Sequence, residues 1–194
     1  RVLLLKRDLA GATKAFETAL AKEPAYFPAV ASLAAIDLEA GRPDAAKKRF
    51  EDVLQNNPKS YQAQMALAEL QMRTGGAPEE VIKLLRAAVK ANAGEPAPHL
   101  ALIRELISRD PNAALTAARE AAAALPGNSE VQDALGRSQL AANDPGQAVA
   151  TYKALAVAQA TNPAWQLRLG EALLANKDVE GSKSALRRAL ELRP

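Results

Sequence analysis

The chain has 194 residues, 48% of them hydrophobic but only 4% aromatic, and it contains no cysteine. Its 25 basic and 22 acidic residues are interspersed, so the formal charge of +3 forms no basic stripe of the kind nucleic acid requires. Disulfides and thiolate metal sites are excluded, and no apolar run reaches the ~18 residues of a membrane-spanning helix.

A core made mainly of alanine and leucine suits closely packed helices, because alanine has the highest helix propensity and lets helix axes approach. Taken in chain order, apolar periodicity, prolines and capping residues predict helices at 2–7, 9–22, 27–40, 43–56, 61–73, 78–91, 96–108, 111–124, 129–142, 145–158, 163–176 and 179–192. Starts are marked by Pro43, Pro78, Pro111 and Pro145, whose missing N–H is no loss in a first turn. Asp8, Asp110, Asp144 and Asp178 stand at N-cap positions, where a carboxylate accepts from free backbone N–H groups. Ser129 with Gln132 reads as a capping box, and Asn162-Pro163 as a cap with a first-turn proline. Pro24, Pro58, Pro126 and Pro194 close helices.

The helices come in pairs. The small residue that opens each second helix falls at Ala12, Ala46, Val81, Ala114, Ala148 and Ser182, at intervals of 34, 35, 33, 34 and 34 residues. The Gly75-Gly76 pair accounts for the extra residue, and a shorter turn before Asp110 for the missing one. Four residues later stand Phe16, Phe50, Leu85, Ala118, Tyr152 and Leu186, and three beyond those Ala19, Val53, Ala88, Ala121, Leu155 and Ala189, which together make one helix face. The first helix of each pair carries Leu33-Ala34, Leu67-Ala68, Leu102-Ile103, Leu135-Gly136 or Leu169-Gly170, where a small second member lets a neighbouring helix come close.

This 34-residue helix-turn-helix, with Leu-Gly/Ala in the first helix and alanine, aromatic, alanine, proline in the second, resembles the tetratricopeptide repeat. The resemblance covers a partial repeat at 1–26 and pairs at 27–60, 61–95, 96–128, 129–162 and 163–194. It implies an all-α, right-handed α-solenoid in a single superhelical domain, and the chain reads as a fragment of a longer protein. The family's aromatic position near the start of the first helix is filled by Val30, Gln64, His99, Gln132 and Gln166, and Ala118 stands where a large residue is usual. These departures are expected to weaken individual repeats. The stretches from Ala31 to Glu51, Pro78 to Leu85 and Ala91 to Pro98 also resemble the tetratricopeptide lipoproteins of bacterial PEP-CTERM/exosortase systems. That likeness implies an exported, lipid-anchored protein of the periplasm or outer membrane, linked to exopolysaccharide production and protein sorting, with its lipidated cysteine outside this chain.

No residue constellation points to catalysis, a metal or a cofactor. His99 has no clustered ligand partner and reads as an ordinary helix residue, and Gly75-Gly76 lacks the following Lys-Ser/Thr of a phosphate loop. Glu79-Glu80 complements a helix dipole, while Lys47-Lys48-Arg49 and Arg187-Arg188 read as solvated charges. Surface shape remains: tetratricopeptide arrays hold peptides or protein segments on the concave face lined by first helices. The inward register there gives Gln62, Met65, Glu69, Met72, Leu100, Arg104, Ile107, Asp133, Arg137, Leu167 and Glu171. Either these meet a partner, or Met65, Leu100 and Leu167 pack between repeats while Glu69 pairs with Arg104. The Lys and Asn clamp that some members use for a C-terminal carboxylate is not present at these positions. Trp165 is read as packing between the fifth and sixth repeats, with a ligand platform as the alternative. The chain is thus expected to be a protein-binding scaffold, or else the recognition arm of a larger enzyme such as a glycosyltransferase or peptidase. Leu186, Leu190 and Leu192 at one end, and Val2 to Leu5 at the other, are expected to lack a covering helix, giving end-to-end association or fraying.

Overall fold

The computed structural model describes residues 8–192. Eleven α-helices occupy that span, with no strand among the described residues. They are α1 (Leu9–Lys22), α2 (Phe27–Glu39), α3 (Pro43–Asn56), α4 (Tyr61–Thr74), α5 (Pro78–Ala91), α6 (Pro96–Ile107), α7 (Pro111–Ala124), α8 (Ser129–Ala141), α9 (Pro145–Ala158), α10 (Pro163–Ala175) and α11 (Val179–Glu191). The helix predicted at 2–7 and the apolar run from Val2 to Leu5 lie outside the described residues. The predicted boundaries are met to within one residue because local chemistry sets them. Asp8, Asp110, Asp144 and Asp178 each accept the backbone N–H three residues on, at 2.8, 2.9, 3.4 and 2.9 Å. Asn162 caps α10 by accepting from Ala164 at 3.0 Å, as its Asn-Pro signature predicts. The predicted capping box is corrected: Asn128, one residue earlier, takes the cap by accepting from Val131 at 3.0 Å, so Ser129 is already helical.

The turns inside the pairs follow one scheme. The backbone N–H groups of Arg42, Gly76, Asp144 and Asp178 each return to the carbonyl five residues back, at 2.7 to 2.9 Å, the closing bond of a Schellman turn. A left-handed residue precedes each of them, Gly41, Gly75, Asn143 or Lys177, so Gly75 is a structural hinge of the turn. Where the sequence is one residue short, Asp110 bonds instead to Leu106, four residues back, at 2.8 Å.

The chain divides into two compact units, residues 1–92 and 93–194. In the first, α2 packs on α1 and α3, and α4 on α3 and α5. Its core joins Val30, Ala34, Ala46, Phe50, Leu67 and Leu70, with the Phe27 and Phe50 rings 6.2 Å apart. In the second unit, successive helices from α6 to α11 pack in order and α6 also meets α8, the arrangement of stacked helix pairs. Tyr152, Leu155, Leu169 and Leu173 lead its core, and Trp165 packs against it while donating Nε1–H to Gln159 Oε1 at 2.8 Å. Trp165 is therefore a packing residue at the junction of the last two repeats.

Helix approach depends on paired sizes. A Cβ on Gly136 would lie 2.5 Å from Cζ of Tyr152, and one on Gly170 would lie 2.8 Å from Cγ of Leu186. Leu186 thus packs against the first helix of its own repeat, yet it is only half-buried where its equivalents Leu85 and Tyr152 are fully buried, as expected without a covering helix. Leu190 does stand open, at 73% exposure. The fourth repeat inverts the sizes, with Ile103 at the small position and Ala118 at the large one, both fully buried. The alanine at 118 is thus matched by a larger partner on the facing helix.

Candidate partner-binding site

Three of the residues that depart from the family's aromatic position prove to be structural donors. Gln64 Nε2 donates to the Pro58 carbonyl at 2.8 Å and Gln132 Nε2 to that of Pro126 at 3.3 Å, while His99 Nε2 lies 2.9 Å from the Ala93 carbonyl, to which a protonated Nε2 donates. Each ties down the turn six residues before it, satisfying a backbone carbonyl just past the end of the preceding helix. The expected weakening of these repeats is therefore offset, and His99 has a defined structural partner. Among the described residues no group of three or more His, Cys, Asp or Glu side chains could hold a metal ion.

In the first unit the candidate residues lie along α4. Gln62, Glu69 and Met72 are exposed, and Met65 is half-buried. Behind them on α2, Asp37 is buried and receives Arg42 Nη2 at 2.7 Å and Arg49 Nε at 2.6 Å. Arg49 is thus no solvated charge, as its place in the Lys47-Lys48-Arg49 run suggested. Burial alone would raise the Asp37 carboxyl, but hydrogen bonds and charge from Arg49 and Arg42 outweigh it and hold the group below its ordinary value.

In the second unit α6, α8 and α10 carry the rest. Arg104, Arg137, Leu167 and Glu171 are exposed, whereas Leu100, Ile107 and Asp133 are half-buried. With Leu167 45% exposed, the alternative in which it packs between repeats is corrected. Asp133 is the hub of a charged ladder. Its Oδ2 meets Arg137 Nε at 3.1 Å along α8, and its Oδ1 meets Arg168 Nε at 3.6 Å across to α10. Arg168 in turn pairs with Glu171 at 3.0 Å. From the core side, the Tyr152 hydroxyl donates to Asp133 Oδ1 at 3.1 Å. Burial first, and then the charge and hydrogen bond of Asp133, push the Tyr152 phenol well up, so it remains a donor. Hydrogen bonding to Glu171, against the opposing effect of burial, raises Arg168 and keeps it cationic.

The ladder brings together three of the sequence-selected residues, Asp133, Arg137 and Glu171. The link between them, Arg168, was missed because it stands one residue past the 34-residue register, a step of about 100° around a helix. Tyr152 was read only for its bulk. Its hydroxyl, reaching a neighbouring first helix, has no counterpart among the residues at that position in the other repeats.

Sequence profiles described as tetratricopeptide repeat match residues 3–70, 37–106 and 134–194, well over half of the chain. The chain belongs to the tetratricopeptide-repeat family. Among solved structures, it is similar to a MamA protein (TM-score 0.68, 18% identity, covering 84% of this chain and 89% of that one). It is also similar to YrrB (TM-score 0.69, 14% identity, 94% of both chains). A third is TTC0263, a thermophilic tetratricopeptide protein of Thermus thermophilus (TM-score 0.57, 21% identity, 85% and 90%). At these identities the likeness establishes the fold. Among curated protein sequences none matches the chain. None of the described helices of this tetratricopeptide chain is long and apolar enough to cross a membrane.

Proposed function

We propose that the chain is a non-catalytic scaffold that binds a protein or peptide segment along the face lined by its first helices. The observation that carries this reading is the ladder Arg137–Asp133–Arg168–Glu171, which presents alternating fixed charges beside the exposed Leu167. Charges held by one another and by Tyr152 are pre-positioned, so a partner segment of complementary pattern is read in one register and loses little freedom to side-chain ordering. In the first unit Met65 and Met72 offer adaptable apolar contact beside Glu69. YrrB, similar in fold, is described as a protein with an unusual peptide-binding site, which supports the class of ligand.

One change in each unit tests this with net charge preserved: Glu69→Arg together with Arg104→Glu. Both side chains are exposed, so helix content should stay unchanged. Partner affinity is expected to fall at least tenfold, about 1.4 kcal/mol. Retained affinity in that variant, with loss on changing the second-helix residues Lys47 and Lys48, would place the site elsewhere.

The face of α11 that carries Leu190 is proposed to meet a second copy of the chain. A cleft of about 550 Å³ between α10 and α11, lined by Leu169, Leu173, Ala185 and Arg188, accompanies the exposed Leu190. Sedimentation should show association that rises with concentration and disappears in Leu190→Glu; a strictly monomeric wild type at high concentration contradicts it. An envelope setting in a bacterial exopolysaccharide or protein-sorting system is proposed on the sequence likeness alone. Metabolic labelling of the full-length protein with an alkyne fatty acid should detect lipid, and an unlabelled protein would remove that setting.

A further inference from the structure

The first unit contains a cleft of about 590 Å³ between the turn that joins α1 to α2 and the turn that joins α3 to α4. Pro24, Tyr26, Phe27 and Val30 line it, together with the carboxylates of Glu23 and Asp52. Of the first-helix residues assigned to the partner-binding face only Gln62 borders it, and the chemistry of the cleft is independent of that face.

The cleft exists where the repeat pattern lapses. In the next three repeats Gln64, His99 and Gln132 reach back to the carbonyl six residues earlier. Val30 occupies that position in the second repeat and has no side-chain N–H to give. Among the described residues the Pro24 carbonyl, equivalent to those of Pro58, Ala93 and Pro126, accepts no hydrogen bond. The N-cap of α2, Tyr26, makes no side-chain cap bond either, and the residue is 43% exposed.

The charge of the cleft is specific. Arg49 also lines it, but is held against the buried Asp37. Among the described residues neither Glu23 nor Asp52 has an ion-pair partner. The cleft therefore combines aromatic walls, a backbone acceptor left by a missing donor, and two carboxylates without an ion-pair contact, against the one arginine already held by Asp37.

We propose that this cleft takes an arginine side chain presented by a protein or peptide partner, whose N–H groups serve the Pro24 carbonyl as Gln64, His99 and Gln132 serve its equivalents in their own repeats. A guanidinium carries five N–H donors in one plane, enough to serve the Pro24 carbonyl and the carboxylates together, and its face stacks on an aromatic ring. The aliphatic stem lies along Phe27 and Val30.

The test is an NMR titration of the ¹⁵N-labelled chain with N-acetyl-arginine amide. Saturable shifts are expected at the amides of Ala25, Tyr26 and Phe27, with a dissociation constant on the order of 1 mM for so small a probe. N-acetyl-citrulline amide, equal in shape but uncharged, should bind at least about tenfold more weakly. Val30→Gln, which restores the donor of the sister repeats, should abolish the shifts. Should that buried change disturb folding, Glu23→Gln with Asp52→Asn alters only exposed residues, and it should weaken binding at least about fivefold. Shifts scattered over the surface, equal binding of citrulline, or undiminished binding by the carboxylate variant would overturn the proposal.

Discussion

Asp37→Ala is expected to destabilise the first unit by about 3 kcal/mol, the low end of what breaking a buried ion pair costs, because Arg42 is itself 58% exposed and can return to water. The loss arises because Arg49, which extends from the facing helix α3, is left without the carboxylate it bonds at 2.6 Å. Urea unfolding followed by far-ultraviolet dichroism reads the shift, and an unchanged midpoint would show that the pair is incidental. The same group gives a pH dependence of known sign. Its carboxyl is lowered in the folded chain, so its contribution is present above the unfolded value of about 3.9 and is lost as pH falls through the lowered folded value. Asp37→Asn should flatten that part of the acid limb.

The second large effect is expected at Gly136. In an open helix interior, replacing glycine would stabilise by ~1 kcal/mol or less, because glycine is the poorer helix former. Here the added atoms meet the Tyr152 ring, which cannot swing aside without losing its hydroxyl bond to Asp133. Gly136→Ile should therefore destabilise the second unit by about 3 kcal/mol, the upper range of overpacking, and Tyr152→Ala alone by a similar amount through the cavity it leaves. Combined, the two changes reproduce the arrangement of Ile103 and Ala118 in the fourth repeat. The double variant should be more stable than either single one, a coupling that unfolding curves of the four proteins measure. Simple additivity would show that size pairing does not govern the approach of these helices.

These two sites mark how far the sequence was legible. Helix ends could be read because their causes are local: an aspartate three residues before the N–H it caps, a proline in a first turn, a turn residue in the left-handed region. The size pairs could be read because the repeat aligns small and large positions. The misreadings occur where a side chain serves something other than its register. Ser129 lost the cap to Asn128, an equally good acceptor one residue earlier. Arg49 belongs to a run of exposed bases, yet it turns inward because Asp37, twelve residues away on the facing helix, needs a counter-charge. Gln64, His99 and Gln132 look like failures to keep an aromatic, and only the fold shows the carbonyl each one reaches. At the candidate site, the ladder members Asp133, Arg137 and Glu171 followed from the period, but Arg168 did not, because a strict 34-residue step passes over its neighbour.

On the proposed reading the first-helix face, and not the second-helix face, meets the partner. Site-specific photocrosslinking addresses it directly, with a benzophenone side chain placed at Leu167 on α10, or at Val157, which is 81% exposed on α9. Incubated with the partner it recovers from extract, the chain labelled at Leu167 should form a covalent adduct, and the chain labelled at Val157 should not. Adducts from Val157 with none from Leu167 would contradict the account.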